Sequence, residues 1–289
     1  MFKGSMVALV TPMNIDQSVD YSGLAKLVDF HLSHQTDALV VVGTTGEAAV
    51  LSAGEKFKII EAVVKQVAGK IPVIAGTAAQ GTQQTIELTQ QAESLGVDGA
   101  LVMTPAYIKP PQRSLIAHYR AVAQNTKLPI ILYNVPGRTA CDLSIETAIA
   151  LADVDNIIAI KEASGDVLRT QAIIENCGDK LMVYSGEDAL TLDLMKLGAK
   201  GAISVTANIA PSLMHKLCQA ALDTDWPVAQ EIDNRLQPLH EILFCESNPI
   251  ACKWALSEMG YCTDVLRMPL LPLDEQFHHG VRQILATID

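Results

Sequence analysis

The sequence predicts an α/β protein built as a (β/α)8 barrel of the TIM class, with an appended C-terminal helical region. Two observations carry that reading. From residue 5 to about 206, eight short apolar runs alternate with segments of helical period, and strict βα alternation with right-handed crossovers closes at that count into a parallel barrel. The runs also lack polar alternation, as in Asn156-Ile-Ile-Ala-Ile-Lys161, which suits strands covered on both faces. A doubly wound open sheet is the runner-up, disfavoured because no G-x-G-x-x-G follows the first strand.

Taken in order, the first strand is expected at 6–10, stopped by Thr11-Pro12, with a helix near 20–35. The second, at 38–42, precedes a helix over 54–69 that opens on the capping box Ser52-x-x-Glu55 and ends at Gly69-Lys70. Strands follow at 72–76, 99–103, 129–133, 157–161, 181–185 and 201–205. The helices between them fall near 82–95, 112–126, 144–152, 166–177 and 188–197, with another after 207. Beyond about 224 the alternation stops. Segments 226–245, 248–259 and 273–288 read as helices punctuated by Asn248-Pro249, Pro269 and Pro272. The expected organisation is therefore a barrel over 1–223 and a helical region over 224–289, packed on the barrel or used for assembly.

Composition narrows the function. Hydrophobic residues make up 49% against 18% charged, enough apolar material for a large core. Twenty-one Lys and Arg against 32 Asp and Glu leave a formal charge of −11, which disfavours nucleic acid and anionic membranes as partners. Small anionic substrates remain open if a local arginine or backbone amides receive them. Cys141, Cys177, Cys218, Cys245, Cys252 and Cys262 form no C-x-x-C pair and read as reduced, mostly buried thiols of a cytoplasmic protein. The apolar stretch 5–10 is too short for a signal peptide, and no run approaches the ~18 residues of a membrane span.

In such a barrel the site sits at the C-terminal ends of the strands. The sixth strand ends on Lys161, where withdrawal from water disfavours an ammonium relative to the neutral, nucleophilic amine that forms Schiff bases with carbonyl compounds. The plainer alternatives are that Lys161 snorkels to solvent or pairs with Glu162. The second strand ends in Gly43-Thr44-Thr45-Gly46-Glu47, whose amides can bind a carboxylate and whose Thr44 can relay a proton, or which is only a tight turn with a capping threonine. Tyr107 follows the fourth strand and Tyr133 ends the fifth. A phenol at a strand end can move protons, and Arg138, five residues after Tyr133, can grip a carboxylate with two parallel bonds. Read plainly, they are a core tyrosine and a surface arginine. Gly186 and Ile203, at the ends of the seventh and eighth strands, could offer backbone groups to a small ligand. His31 and His34 are expected to be an exposed pair on an amphipathic helix rather than metal ligands, and no phosphate-binding loop is present.

Lys161, Tyr133 and the Gly-Thr-Thr-Gly-Glu turn, in this order and spacing, resemble the pyruvate-dependent class I aldolases of the dihydrodipicolinate synthase and N-acetylneuraminate lyase superfamily, along nearly the full length. Within it, Tyr133-Asn-Val-Pro-Gly-Arg-Thr139 is similar to the synthase branch, which condenses pyruvate with L-aspartate 4-semialdehyde on the way to diaminopimelate and L-lysine. The resemblance implies that Lys161 forms the imine with pyruvate and that Tyr133, Thr44 and Tyr107 form a proton relay, with Tyr107 entering a neighbouring subunit's site. It implies that Thr45 holds pyruvate's carboxylate, with backbone contacts from Gly186 and Ile203, and that Arg138 receives the carboxylate of the aldehyde. It further implies a homotetramer made as a dimer of dimers, with no metal or organic cofactor. Two alternatives remain: a sugar-acid lyase of the same superfamily, and a non-catalytic barrel that only binds a keto acid.

The chain departs from lysine-regulated members of that family. Where they carry a serine, a histidine, an asparagine, a glutamate and a tyrosine, this chain has Ala48, Ala53, Gln80, Gln84 and Ala106. An L-lysine ligand would lose the carboxylate facing its amino group and an aromatic contact, and Lys56 nearby adds a like charge. Feedback inhibition by L-lysine is therefore expected to be weak or absent, and a titration of activity showing sub-millimolar half-inhibition would contradict this.

Overall fold

The computed structural model describes residues 2–288. Strands β1 (Gly4–Ala8), β2 (Ala38–Val41), β3 (Val73–Gly76), β4 (Gly99–Met103), β5 (Ile130–Asn134), β6 (Ile157–Glu162), β7 (Met182–Ser185) and β8 (Gly201–Ser204) pair in sequence order. The parallel pairing of β8 with β1 closes the barrel. Around it lie α1 (Tyr21–Ser33), α2 (Ala53–Val67), α3 (Thr82–Ser94), α4 (Gln112–Gln124), α5 (Pro136–Thr139), α6 (Ile145–Leu151), α7 (Val167–Cys177), α8 (Thr191–Lys196) and α9 (Pro211–Leu222). Helices α10 (Trp226–Ile242), α11 (Ile250–Glu258) and α12 (Glu275–Leu285) complete the chain. The expected strands are all found, and the open sheet is excluded by closure. One element escaped the sequence reading. Helix α5 is a single turn, shorter than any hydrophobic period can register, started by Pro136 where a missing N–H is not needed.

Side chains alternate across each strand, so the sheet divides the core into two layers. Met6, Val40, Ile74, Leu101, Ile131 and Met182 fill the barrel, while their neighbours Val7, Leu39, Val73, Val102, Leu132 and Val183 pack outward against the helices. This double burial is why the strands read as continuous apolar runs. The capping box at α2 forms as expected: the Ser52 hydroxyl accepts from the Glu55 amide at 3.3 Å, and the Glu55 carboxylate accepts from the Ser52 amide at 2.8 Å. Arg267, between α11 and α12, also bonds Glu55, and chiefly through that bond holds its carboxyl down at about 2. All six cysteines are free, four of them buried. No described helix is long and apolar enough to cross a membrane.

The histidine pair is not exposed as expected. His31 follows Leu27 and Val28 by one helical turn and so shares their inward face, fully buried, with Nδ1 2.9 Å from the Thr36 hydroxyl. His34 lies past the helix end, its Nδ1 2.7 Å from the Phe30 carbonyl oxygen. Burial pulls His31 down to about 3, so it is neutral in the folded protein at ordinary pH. An unfolded histidine protonates near ~6.5. Between those values the unfolded chain binds a proton that the folded chain refuses, so His31 leaves stability untouched above ~6.5 and lowers it as pH falls from there. Urea melts between pH 7.5 and 5 should show the parent losing up to about 1.4 kcal/mol per pH unit more than His31→Gln. Equal slopes in the two proteins would contradict this.

Candidate active site

Strand β6 places Ile160 and Glu162 outward and Lys161 inward, in register with Tyr133 of β5 and Tyr184 of β7. Lys161 is 5% exposed, and its Nζ sits 4.5 Å from the centroid of the Tyr133 ring. The outward Glu162 carboxylate accepts instead from Asn134 Nδ2 at 3.1 Å and from the Ser164 amide at 2.8 Å. Burial pushes its carboxyl above the usual range, against the pull of those hydrogen bonds. Both plain readings of Lys161 therefore fail: it neither snorkels nor pairs with Glu162. A lysine nitrogen held this way, out of a salt bridge and beside a phenol, is of the kind that forms Schiff bases with carbonyl compounds.

The turn after β2 closes with the Glu47 amide donating to the Thr44 carbonyl at 3.0 Å and the Ala48 amide to the Gly43 carbonyl at 3.2 Å. Gly46 sits in a tight place: a Cβ there would lie 3.1 Å from the Leu9 carbonyl oxygen and 3.2 Å from the Thr11 hydroxyl, so a side chain would force its neighbours to shift. The two threonines diverge. Thr44 lines the cavity at the barrel mouth, whereas Thr45 is 3% exposed and its hydroxyl accepts from Asn248 Nδ2 at 2.9 Å. Glu47, in the left-handed region at φ 56°, sends its carboxylate backward to Lys253 of α11, with Nζ to Oε1 at 2.6 Å and both side chains out of water.

The cavity has a volume of about 540 Å³ and joins two groups of residues. Thr44, Met103, Tyr133 and Arg138 line one part; Ala48, Ala53, Lys56, Gln80, Gln84 and Ala106 line the other. Burial draws the Lys56 ammonium below its ordinary value. Arg138 stands exposed on α5 at the rim, one Nη donating to the Asn248 carbonyl at 3.3 Å. Glu187 faces this charge. Burial, and then Asp188 beside it, push its carboxyl up, while Lys161 and Arg138 pull it back.

Gly186 gives its amide to the Glu162 carbonyl at 2.8 Å, so a ligand could use only its carbonyl. A Cβ at this position would meet Ala163 Cβ at 2.6 Å and Lys161 Cε at 3.0 Å, so the glycine leaves the lysine room to move. Ile203 is 1% exposed within the barrel interior. Thr44, Tyr133 and Arg138 thus line one cavity, Lys161 packs against Tyr133 and Gly186 against Lys161, while Thr45 turns away to Asn248 and Ile203 lies in the barrel interior. Tyr107 does not join them within one chain: it is 90% exposed, at φ 73°, with its amide on the Thr139 carbonyl. Among the described residues no cluster of three or more His, Cys, Asp or Glu could hold a metal ion.

The sequence reading missed Asn248 and Lys253. Asn248 looked like a turn residue before proline, with nothing local to distinguish it. Lys253 did carry a signal: it is the one charge in Ile250-Ala-Cys-Lys-Trp-Ala-Leu256, a segment buried on every side. A lone cation in such a helix must find a buried anion.

The chain matches the model of the dihydrodipicolinate synthetase family over residues 1–288. It is 51% identical over 285 residues to the 4-hydroxy-tetrahydrodipicolinate synthase of Ectopseudomonas mendocina, covering 99% of this chain and 98% of the relative. The synthase of Legionella pneumophila (strain Philadelphia 1) is likewise 51% identical, over 289 residues, 100% of this chain and 99% of the other. Among solved structures, the chloride-inhibited dihydrodipicolinate synthase from Acinetobacter baumannii complexed with pyruvate superposes with a TM-score of 0.98 at 49% identity, covering 100% of this chain and 99% of that one.

The crowding at Gly186 can be tested directly. In Gly186→Ala the added methyl meets Ala163 Cβ and the Glu162 carbonyl as well as Lys161 Cε, so the strand end and the lysine must both shift, and borohydride trapping of a keto acid at Lys161 should slow by about tenfold, or about 1.4 kcal/mol in the barrier. Trapping at the parental rate in a folded Gly186→Ala protein would mean the lysine does not need that space.

Proposed function

The chain belongs to the dihydrodipicolinate synthetase family, and we propose that it is a lyase that condenses pyruvate with L-aspartate 4-semialdehyde to give 4-hydroxy-tetrahydrodipicolinate. The observation that carries this is the buried Lys161 amine against the Tyr133 ring at the mouth of a closed barrel, with Arg138 at the rim. The relative from Acinetobacter baumannii, complexed with pyruvate, supports the choice of keto acid.

Lys161 attacks the ketone carbon of pyruvate, and loss of water from the carbinolamine leaves a protonated imine. That cation withdraws electrons from the adjacent methyl, which gives up a proton to form the enamine. Tyr133, packed under Nζ, is placed to carry protons to and from this centre, with Thr44 in the same cavity as the next member of the relay. Thr45 receives the carboxylate of pyruvate, and the Gly186 and Ile203 backbones flank it. The enamine carbon then adds to the aldehyde of the second substrate, whose carboxylate Arg138 receives. Attack of that substrate's own amine on the imine carbon closes the ring and releases Lys161.

Tyr107 completes the relay from a neighbouring copy in this reading. Its exposure at the end of a strained turn, with Ile108 beside it also exposed, supports a surface covered on assembly. The assembly we propose is a tetramer of two such dimers, and the six free thiols support a cytoplasmic setting.

The test is consumption of L-aspartate 4-semialdehyde by the purified protein with pyruvate, beside N-acetylmannosamine and glyceraldehyde as acceptors. Selective turnover of the semialdehyde is expected. Arg138→Ala should lower kcat/KM for that acceptor on the order of a hundredfold, about 3 kcal/mol, while pyruvate still becomes trapped on Lys161. Turnover with a sugar aldehyde alone would move the chain to the sugar-acid lyases.

A further inference from the structure

Asn248 lies just before α11, 203 residues from Thr45 and 110 from Arg138, yet it touches both. Its side-chain amide donates to the Thr45 hydroxyl at 2.9 Å, and its main-chain carbonyl accepts from Arg138 at 3.3 Å. The side chain is 5% exposed, and its Oδ1 has no hydrogen-bond partner among the described residues. A buried oxygen left without a donor destabilises a fold, so this asparagine is a poor choice for stability alone.

The direction of the first bond matters chemically. A hydroxyl that accepts from an amide N–H keeps one proton, and that proton must point elsewhere. Thr45 is thereby set as a donor, which is what a carboxylate requires. The second bond occupies one Nη of Arg138 and leaves the rest of the guanidinium for an incoming anion. Five residues on, Lys253 holds Glu47 at 2.6 Å, and the Arg267 amide holds the other Glu47 oxygen at 3.0 Å. The turn carrying Thr45 is thus pinned at its far end to α11, the helix that Asn248 just precedes.

We propose that Asn248 is a positioning residue whose side chain aims the Thr45 hydroxyl at the keto-acid carboxylate while its main-chain carbonyl holds Arg138 beside it, so that one residue of the C-terminal region sets the spacing between the two substrate carboxylates. The proposal rests on the Schiff-base reading of Lys161. It assigns the C-terminal helical region a part in substrate binding as well as in packing.

The experiment measures pyruvate-dependent borohydride trapping at Lys161, followed by mass spectrometry, and steady-state kinetics for both substrates. The proteins are the parent, Asn248→Ala, Asn248→Asp, Thr45→Val and the double variant Asn248→Ala/Thr45→Val. In Asn248→Ala, the pyruvate concentration for half-maximal trapping should rise by about tenfold, with kcat changed far less and the KM for the semialdehyde near parental, because the carbonyl that holds Arg138 remains. Asn248→Asp has the same size but can only accept. It should draw the Thr45 proton to itself and place a negative charge behind the carboxylate, raising half-maximal pyruvate by about a hundredfold. The double variant should bind pyruvate no worse than Thr45→Val, because Asn248 acts there through that hydroxyl.

A merely structural asparagine would lower stability and kcat in its variants without a selective rise in the pyruvate needed for half-maximal trapping, and that result overturns the proposal. So do independent, multiplying effects of Asn248→Ala and Thr45→Val. Should Asn248→Ala fail to fold, Asn248→Asp set against Thr45→Val reads the same coupling. Absence of any adduct in the parent would overturn the Lys161 reading, and the proposal with it; an adduct in the parent with parental pyruvate dependence in every Asn248 variant overturns the proposal alone.

Discussion

The alternation of side chains along β6 is the constraint on which the site depends. A residue on a strand of a closed barrel has only two destinations, the interior or the helix layer, and the period of two assigns them strictly. Lys161 goes inward to Tyr133, and Glu162 goes outward to Asn134 and Ser164. Had the register slipped by one residue, the carboxylate would occupy the barrel and the amine would face the helices. Adjacent residues of opposite charge are thereby kept apart by the sheet itself. Gly186 serves the same end from the next strand by withholding a methyl from the lysine's path.

A second constraint comes from the other end of the chain. Lys253 and Glu47 are both fully enclosed, and burying two charges is costly unless each finds the other and its remaining hydrogen bonds. Here the remaining bonds are made: Lys253 also donates to the Val265 carbonyl, and Glu47 accepts from the Arg267 amide. Losing one partner of such a pair typically costs about 3–5 kcal/mol, because the other charge is left stranded. The pair therefore acts as a latch that fixes the position of the β2 turn relative to α11. Helix α11, which composition alone presents as packing material, thus holds the β2 turn in place.

The mouth cavity is one continuous space. Thr44, Tyr133 and Arg138 share one space with Lys56, Gln80 and Gln84, so a ligand on the outer part would alter the water and charge around the inner part. In this chain the outer part presents alanines, neutral amides and an ammonium drawn down by burial. Such a lining offers an amino-group ligand no anion to pair with.

The sequence by itself determined the barrel, its eight strands and the residues at their ends, because those signals are local. Doubly buried strands must be continuously apolar, and a lysine closing one such run stands out in five residues of text. Tertiary structure decided what depends on chain segments far apart. Asn248 meets Thr45 across 203 residues and Lys253 meets Glu47 across 206, and no period or cap encodes a contact at that range. His31 shows the same divide at short range: its polarity suggested the surface, but its helical phase with Leu27 and Val28 sent it inside once α1 docked. The residues alone put Tyr107 near the rim, and only the family resemblance put it outside its own chain's site, since exposure is a property of the packed molecule. Local pattern fixes which face a residue belongs to, and only the closed structure fixes what that face meets.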